Sequence, residues 1–273
     1  MSELEVAVAQ FAPGTDAEAN LETIRELTDA AADRGAQLVV FPEYSSFFVN
    51  PVGAAFLEAA EPLDGAFVTE LSELADDRGV SIVAGMAEAA GEPGRFTNTV
   101  VAVAPRAGLV ASYRKQHLYD AFGARESEWV APGELSAPQL FTAGGLRIGL
   151  QTCYDLRFPE VTRRIVDAGA ELVLVPSEWV HGNLKLHHWR TLITARAIEN
   201  TVYLAAADHV PPVGVGASMI VDPMGIVLAE LADETDAGLA EVSSERVREV
   251  RAVNPALELR RYDVVPRVDS RGA

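Results

Sequence analysis

The chain has one cysteine, five histidines and 22 basic residues, of which only Lys115 and Lys185 are lysines. Cys153 stands in "LQTCYDLRFPE" (150–160), between an apolar strand-like run and Pro159, a residue suited to the first turn of a helix. A strand-to-helix turn exposes a side chain at a sheet edge, close to unpaired amide donors and the positive helix end. Such surroundings are expected to lower a thiol pKa from about 8.5 and to offer the Tyr154 N–H to a developing oxyanion. A lone cysteine can equally be a small buried hydrophobe. A nucleophile therefore needs a base and an electrophile elsewhere in the chain.

Glu43 is one candidate. It follows the apolar run "VVFP", at the mouth of a buried strand, where an ionised carboxylate needs a partner. Lys115, in "YRKQHLYD" at the end of another strand, can be that partner. In a chain that uses arginine almost throughout, a retained lysine points to ammonium chemistry, a compact charge with a tunable pKa. His117, His181, His187, His188 and His209 show no spacing that marks a base, and none sits with cysteine or acids in a metal-ligand pattern. Arg157 offers a bidentate fork, either to a substrate carboxylate or to its neighbours Asp155 and Glu160.

Alternating strand-like and helix-like segments must position these groups. "LEVAVAQF" (4–11) alternates like a half-buried strand. Residues 15–35 read as an amphipathic helix, with Thr15 and Glu18 as a capping box and Gly35 as the C-terminal glycine. Further helices are predicted over 63–79, 159–168, 187–200 and about 243–252. Strands are predicted over 37–44, 80–88 and 170–179, with hairpins before and after an irregular stretch at about 116–137. A local unit recurs: helix end, glycine, apolar strand, acid. It places Glu43, Glu88 and Glu178 at the ends of similar strands, the edge where ligands bind in open α/β sheets. No low-complexity linker interrupts the chain, so residues 1–273 read as one domain with a tail over about 253–273.

Composition narrows the function classes. A net charge of -18 repels phosphate backbones, so nucleic-acid binding is not expected. No apolar run approaches about 18 residues, so no membrane span is expected. The N-terminus shows no basic stretch ahead of an apolar one, and a single cysteine forms no internal disulfide. Both fit a cytoplasmic setting.

"VVFPEY", "YRKQHLYD" and "CYDLRFPE" together, in this order, resemble the nitrilase superfamily of carbon–nitrogen hydrolases. "RESEWVAPG" is similar to that family's second-glutamate block, "ARAIENTVYLAAA" to its dimer-side helix and strand, and "GASMIVDPMGIVLAE" to its late hairpin. The resemblance implies a four-layer α-β-β-α sandwich with Glu43 as general base, Lys115 as electrophilic stabiliser and Cys153 as nucleophile. It implies a second glutamate at Glu126, with Glu128 as the competing assignment. It implies neither metal nor organic cofactor, and a homodimer or larger even assembly through a helix face that includes Ala195 and Ile198. Tyr154, Arg157 and Trp179 are the expected substrate-binding residues. "CYDLRFPE" is closer to the omega-amidase branch than to the tryptophan-bearing block of true nitrilases. The expected reaction is therefore hydrolysis of a small linear carboxamide. An N-carbamoyl amidohydrolase or a nitrilase is the enzyme alternative, and a binding or scaffold protein is the alternative of another class.

Overall fold

The computed structural model describes residues 3–267, so the last part of the expected tail lies outside the described residues. Strand β1 (Glu3–Gln10) shows the logic of the fold in miniature. Successive side chains leave a strand on opposite faces. Val6 and Val8 thus enter one core, and Ala7 and Ala9 enter another. A strand buried on both faces reads as a nearly continuous apolar run.

Helix α1 (Ala17–Asp33) follows. Its N-cap is Asp16, whose carboxylate accepts from the Glu18 and Ala19 amides, so the capping box expected of Thr15 does not form. Asp16 satisfies two orphan donors of the first turn, and its charge also meets the helix dipole. Gly35 follows the helix with φ +98°, the backbone position assigned to it from sequence. Then come β2 (Leu38–Val40), a short helix α2 (Ala54–Ala59) that the sequence pattern did not show, and α3 (Ala66–Arg78). Strands β3 (Ser81–Ala89), β4 (Phe96–Ala104) and β5 (Gly108–Arg114) complete this half. The irregular stretch holds one 3-10 turn, Glu126–Glu128.

The second half contains β6 (Leu140–Ala143), β7 (Leu146–Leu150), the 3-10 turn Cys153–Arg157 and α4 (Pro159–Asp167). It continues with β8 (Leu172–Pro176), α5 (Lys185–Asn200), β9 (Tyr203–Ala207), β10 (Met219–Val221) and β11 (Val227–Glu230). Strand β12 (Asp236–Ser243) and α6 (Ser244–Val253) close the fold. One sheet has the order β12-β1-β2-β3-β4-β5 and the other β11-β10-β9-β8-β7-β6. Val6, Val8, Leu38 and Val40 of the first sheet meet Ile148, Leu172, Leu174 and Ala205 of the second in a shared core. Helices α1 and α3 cover the outer face of the first sheet, through residues such as Ile24 and Leu71. Helices α4 and α5 cover the second, through Ile165 and Ile193. The result is the expected four-layer α-β-β-α sandwich. On α5, Ile198 is 46% exposed.

The recurring sequence unit falls in equivalent places. α1 leads through β2 to Glu43, and α4 leads through β8 to Glu178, one in each sheet. Their ends meet: the Glu178 amide donates to Glu43 Oε2 at 2.6 Å. The third copy diverges, because Glu88 lies inside β3 and binds Arg114, Thr97 and Thr99 instead. Burial pushes its carboxyl up, but Arg114 and the two hydroxyls outweigh that and hold it below the usual range.

Gly85 of β3 makes the close approach of the Glu43 segment possible. A Cβ there would lie 2.5 Å from the Tyr44 nitrogen and 2.6 Å from the Glu43 Cα. Both contacts are backbone, so neither can swing aside. Gly85→Ala is expected to lower stability by about 1–3 kcal/mol, the usual range for overpacking. Thermal unfolding tests this, and a melting temperature equal to the parent's contradicts the close-packing argument.

Candidate active site

A cavity of about 910 Å³ opens at the ends of β2, β5, β7 and β8, and Glu43, Lys115, Glu126 and Cys153 all line it. Lys115 is 2% exposed. Its Nζ lies 2.9 Å from Glu43 Oε1 and 3.0 Å from Glu126. Burial works against its charge, but Glu126 and Glu43 outweigh burial and hold the ammonium well above its ordinary range. Glu128, by contrast, is exposed and pairs with Arg125 at 3.6 Å. Of the two glutamates weighed from sequence, the geometry thus sets Glu126 on the lysine.

Asn98 of β4 ties the two carboxylates together, donating to Glu43 Oε1 at 2.6 Å and Glu126 Oε1 at 3.1 Å. Tyr44 O–H adds a third bond to Glu126, at 3.0 Å. Sequence reasoning missed Asn98. Asn98 stands between Thr97 and Thr99 in a polar run at the start of β4, so nothing in the local pattern marked it out.

Cys153 is 6% exposed and opens its 3-10 turn with φ +45°, an unusual backbone for a residue with a Cβ. Its thiol donates to the Glu178 carbonyl at 3.3 Å. The expectation of a lowered thiol pKa is overturned. Burial pushes the thiol well up, the facing Glu43 charge adds to this, and Lys115 only partly compensates. The helix whose dipole was invoked begins only at Pro159, beyond the turn, and helix-end fields fade within one turn. Cys153 therefore rests as a protonated thiol.

Tyr154, Arg157 and Trp179 all line the same cavity. Arg157 forms no ion pair with Asp155 or Glu160 among the described residues. Its guanidinium lies 4.7 Å from the Trp179 ring centroid and 5.8 Å from that of Phe122, and its buried Nε has no hydrogen-bond partner among the described residues. Lys185, singled out from sequence only by its rarity, lies in the same wall. Its Nζ donates to Tyr119 O–H at 2.7 Å and sits 4.1 Å from the Phe122 ring centroid. Burial lowers its pKa, and the Arg157 charge lowers it further. Both lysines of the chain thus reach one cavity. Glu178 also faces it, with its carboxyl pushed well up by burial and by the Glu43 charge.

The four-layer sandwich with this cavity at its strand ends defines the nitrilase class of enzymes. The chain belongs to the carbon-nitrogen hydrolase family, whose profile matches residues 5–252, and it is an enzyme of amidase type. A deaminated glutathione amidase of Escherichia coli O157:H7 is 39% identical over 258 residues, covering 94% of this chain and 97% of that one. A hydrolase of Mycobacterium tuberculosis is 36% identical over 264 residues, covering 91% and 92%. The Caenorhabditis elegans NitFhit protein matches in structure with a TM-score of 0.85 at 30% identity, over 96% of this chain and 66% of that one. The amidase of Nesterenkonia sp. AN1, from the nitrilase superfamily, matches with a TM-score of 0.76 at 29% identity, over 94% and 97%.

His209 holds the base segment from below. Fully buried, it donates from Nε2 to the Glu43 carbonyl at 2.7 Å. Burial depresses its pKa to about 4, so the ring is neutral. An unfolded histidine titrates near about 6.5. A depressed folded pKa gives stability that is complete above about pH 6.5 and is lost as pH falls through about 4. The shift amounts to about 3 kcal/mol over that window. Chemical denaturation at about pH 7 and about pH 4 should show His209→Asn losing less stability on acidification than the parent, by about that amount. Equal losses in the two proteins contradict the assignment.

Proposed function

We propose that the protein hydrolyses a small linear carboxamide to ammonia and a carboxylate, through a thioester on Cys153. The observation that carries this reading is the meeting of Glu43, Lys115 and Cys153 at one cavity, with residue 178 bridging base and thiol through its backbone. Glu43 takes the thiol proton as Sγ attacks the amide carbon. The C–S bond forms, and the carbonyl electrons move onto oxygen. Lys115 and the Tyr154 N–H stabilise that oxyanion. Glu43 then passes the proton to the nitrogen, the C–N bond breaks and ammonia leaves. Water that loses its proton to Glu43 attacks the thioester, and the thiol departs with that proton. Glu126 keeps the ammonium in place. A thiol with a raised pKa suits this scheme, because it is unreactive until a substrate draws the proton onto Glu43.

Arg157 and Lys185 support a narrower substrate class. Two cations stand side by side in an apolar wall, with no carboxylate within ion-pair distance of either among the described residues. A substrate carboxylate would relieve their mutual repulsion and complete both. The Escherichia coli relative is named deaminated glutathione amidase. The preferred substrate here is accordingly an amide with a carboxylate at its far end.

Cys153→Ala should release no ammonia from a panel of short amides, nitriles and carbamoyl amino acids, while its thermal unfolding stays close to the parent's. Mass spectrometry of the parent under turnover should show an acyl adduct on Cys153. Substantial ammonia release by the alanine variant would refute the nucleophile. Arg157→Met and Lys185→Met should each raise KM for carboxylate-bearing amides about tenfold to a hundredfold, matching a lost charge-assisted bond of about 1.5–3 kcal/mol. Neutral amides of equal length should be spared. Equal loss on both substrate types would show that these cations serve the fold.

A further inference from the structure

Lys115 follows β5 of the first sheet and Cys153 follows β7 of the second, yet a shared substrate carbonyl requires their separation to be held closely. The side chain that spans the gap belongs to neither. Asp155 lies two residues beyond Cys153 in the nucleophile's turn, and its side chain is fully buried. It faces the segment that carries Lys115. Tyr113 O–H, on one flank of the lysine, donates to Asp155 Oδ2 at 2.8 Å. On the other flank, the His117 backbone N–H donates to Oδ1 at 3.0 Å and His117 Nδ1 approaches the same oxygen at 2.7 Å. A carboxylate only accepts, so Nδ1 carries the proton. The His117 ring also stacks on Phe158, at the end of the same turn, with centroids 3.7 Å apart and planes 9° from parallel.

These contacts act where the backbone needs restraint. Cys153 sits at φ +45°, and a residue with a Cβ stays there only when its surroundings over-determine it. Arg196 of α5 grips the outer side of the turn, donating from Nε and Nη2 to the Leu156 carbonyl at 3.1 and 2.8 Å. Asp155 grips the inner side. Neither Asp155 nor His117 lines the cavity, so both act through other residues.

We propose that Asp155 is a positioning residue: by binding Tyr113 and His117 it locks the Cys153 turn to both flanks of Lys115 and so sets the distance between nucleophile and ammonium. This rests on the reading that Lys115 and Cys153 act on one substrate carbonyl. The clamp explains why a buried acid occurs within the nucleophile's turn while Arg157, its near neighbour, stays unpaired with it. It also assigns a task to a histidine that the chemistry leaves unused.

The test uses the full chain and two variants, Asp155→Asn and Tyr113→Phe. The asparagine is isosteric but lacks the charge, and the phenylalanine keeps the ring and drops one bond. Each is assayed for kcat, KM, thermal unfolding and the rate of Cys153 alkylation by iodoacetamide. The probe is itself a small amide, and the chain has one thiol, so label uptake reports that residue alone. Asp155→Asn should lower kcat about tenfold to a hundredfold with KM within about threefold, since small misplacements at reacting centres act on that scale. Alkylation should slow in parallel, and Tyr113→Phe should move both rates the same way by less. A purely structural role would lower the melting temperature and leave kcat and alkylation per folded molecule at parent values, which overturns the proposal. Should Asp155→Asn fail to fold, a Tyr113→Phe protein with parent kcat and alkylation rate overturns it equally. If the parent turns over no amide, the proposed function fails, but the alkylation series still decides the clamp.

Discussion

Lys115 lies almost wholly out of water with its ammonium between Glu43 and Glu126, and removing such a charge from solvent costs several kcal/mol before any partner is counted. The partners must therefore be present, close and well hydrogen-bonded. That requirement fixes three segments: the turn after β2, the end of β5 and, 11 residues beyond Lys115, the 3-10 turn at Glu126–Glu128. Asn98 satisfies both carboxylates at once, so β4 is bound into the same arrangement. Losing one member of a buried ion pair typically costs about 3–5 kcal/mol, because the other charge is left stranded. The cluster thus determines where the loops of the site lie as well as what chemistry they support.

Glu43 extends the constraint to the other sheet. Its second oxygen accepts from the Glu178 amide after β8, and its carbonyl accepts from His209 after β9. The same residue 178 accepts the thiol. The apolar core between the sheets would tolerate small sliding, because dispersion is not directional. Hydrogen bonds across the strand ends do not tolerate it. The fold supplies two stacked sheets, and the polar contacts at one edge set their relative position there.

Charge is distributed unevenly between surface and cavity. A chain with net charge -18 keeps Arg157 and Lys185 together inside the cavity and surrounds them with Trp179, Phe122 and Tyr119. Ring faces attract cations electrostatically without neutralising them. The rings bring no negative charge of their own, and a low dielectric strengthens the attraction between a cation and an anionic ligand. The rest of the surface repels such a ligand.

Local pattern in the sequence was enough to determine the alternating strands, most helices, Gly35 as a cap and the candidates Glu43, Lys115 and Cys153. Those features rest on periodicity and on residue types whose chemistry is intrinsic. The rarity of lysine marked Lys185 without showing where it would lie. The recurring unit placed Glu178 at a strand end but not against Glu43, and Asn98, the task of His209 and the Asp155 clamp were not legible, because each acts through a partner far away in the chain. Glu178 meets Glu43 across 135 residues of sequence. The thiol's raised pKa belongs to the same group: burial and the Glu43 charge set it, and both exist only once the two sheets have packed. A strand's own residues decide which of its faces is apolar. Which polar groups converge at its end is decided by the strand that packs against it.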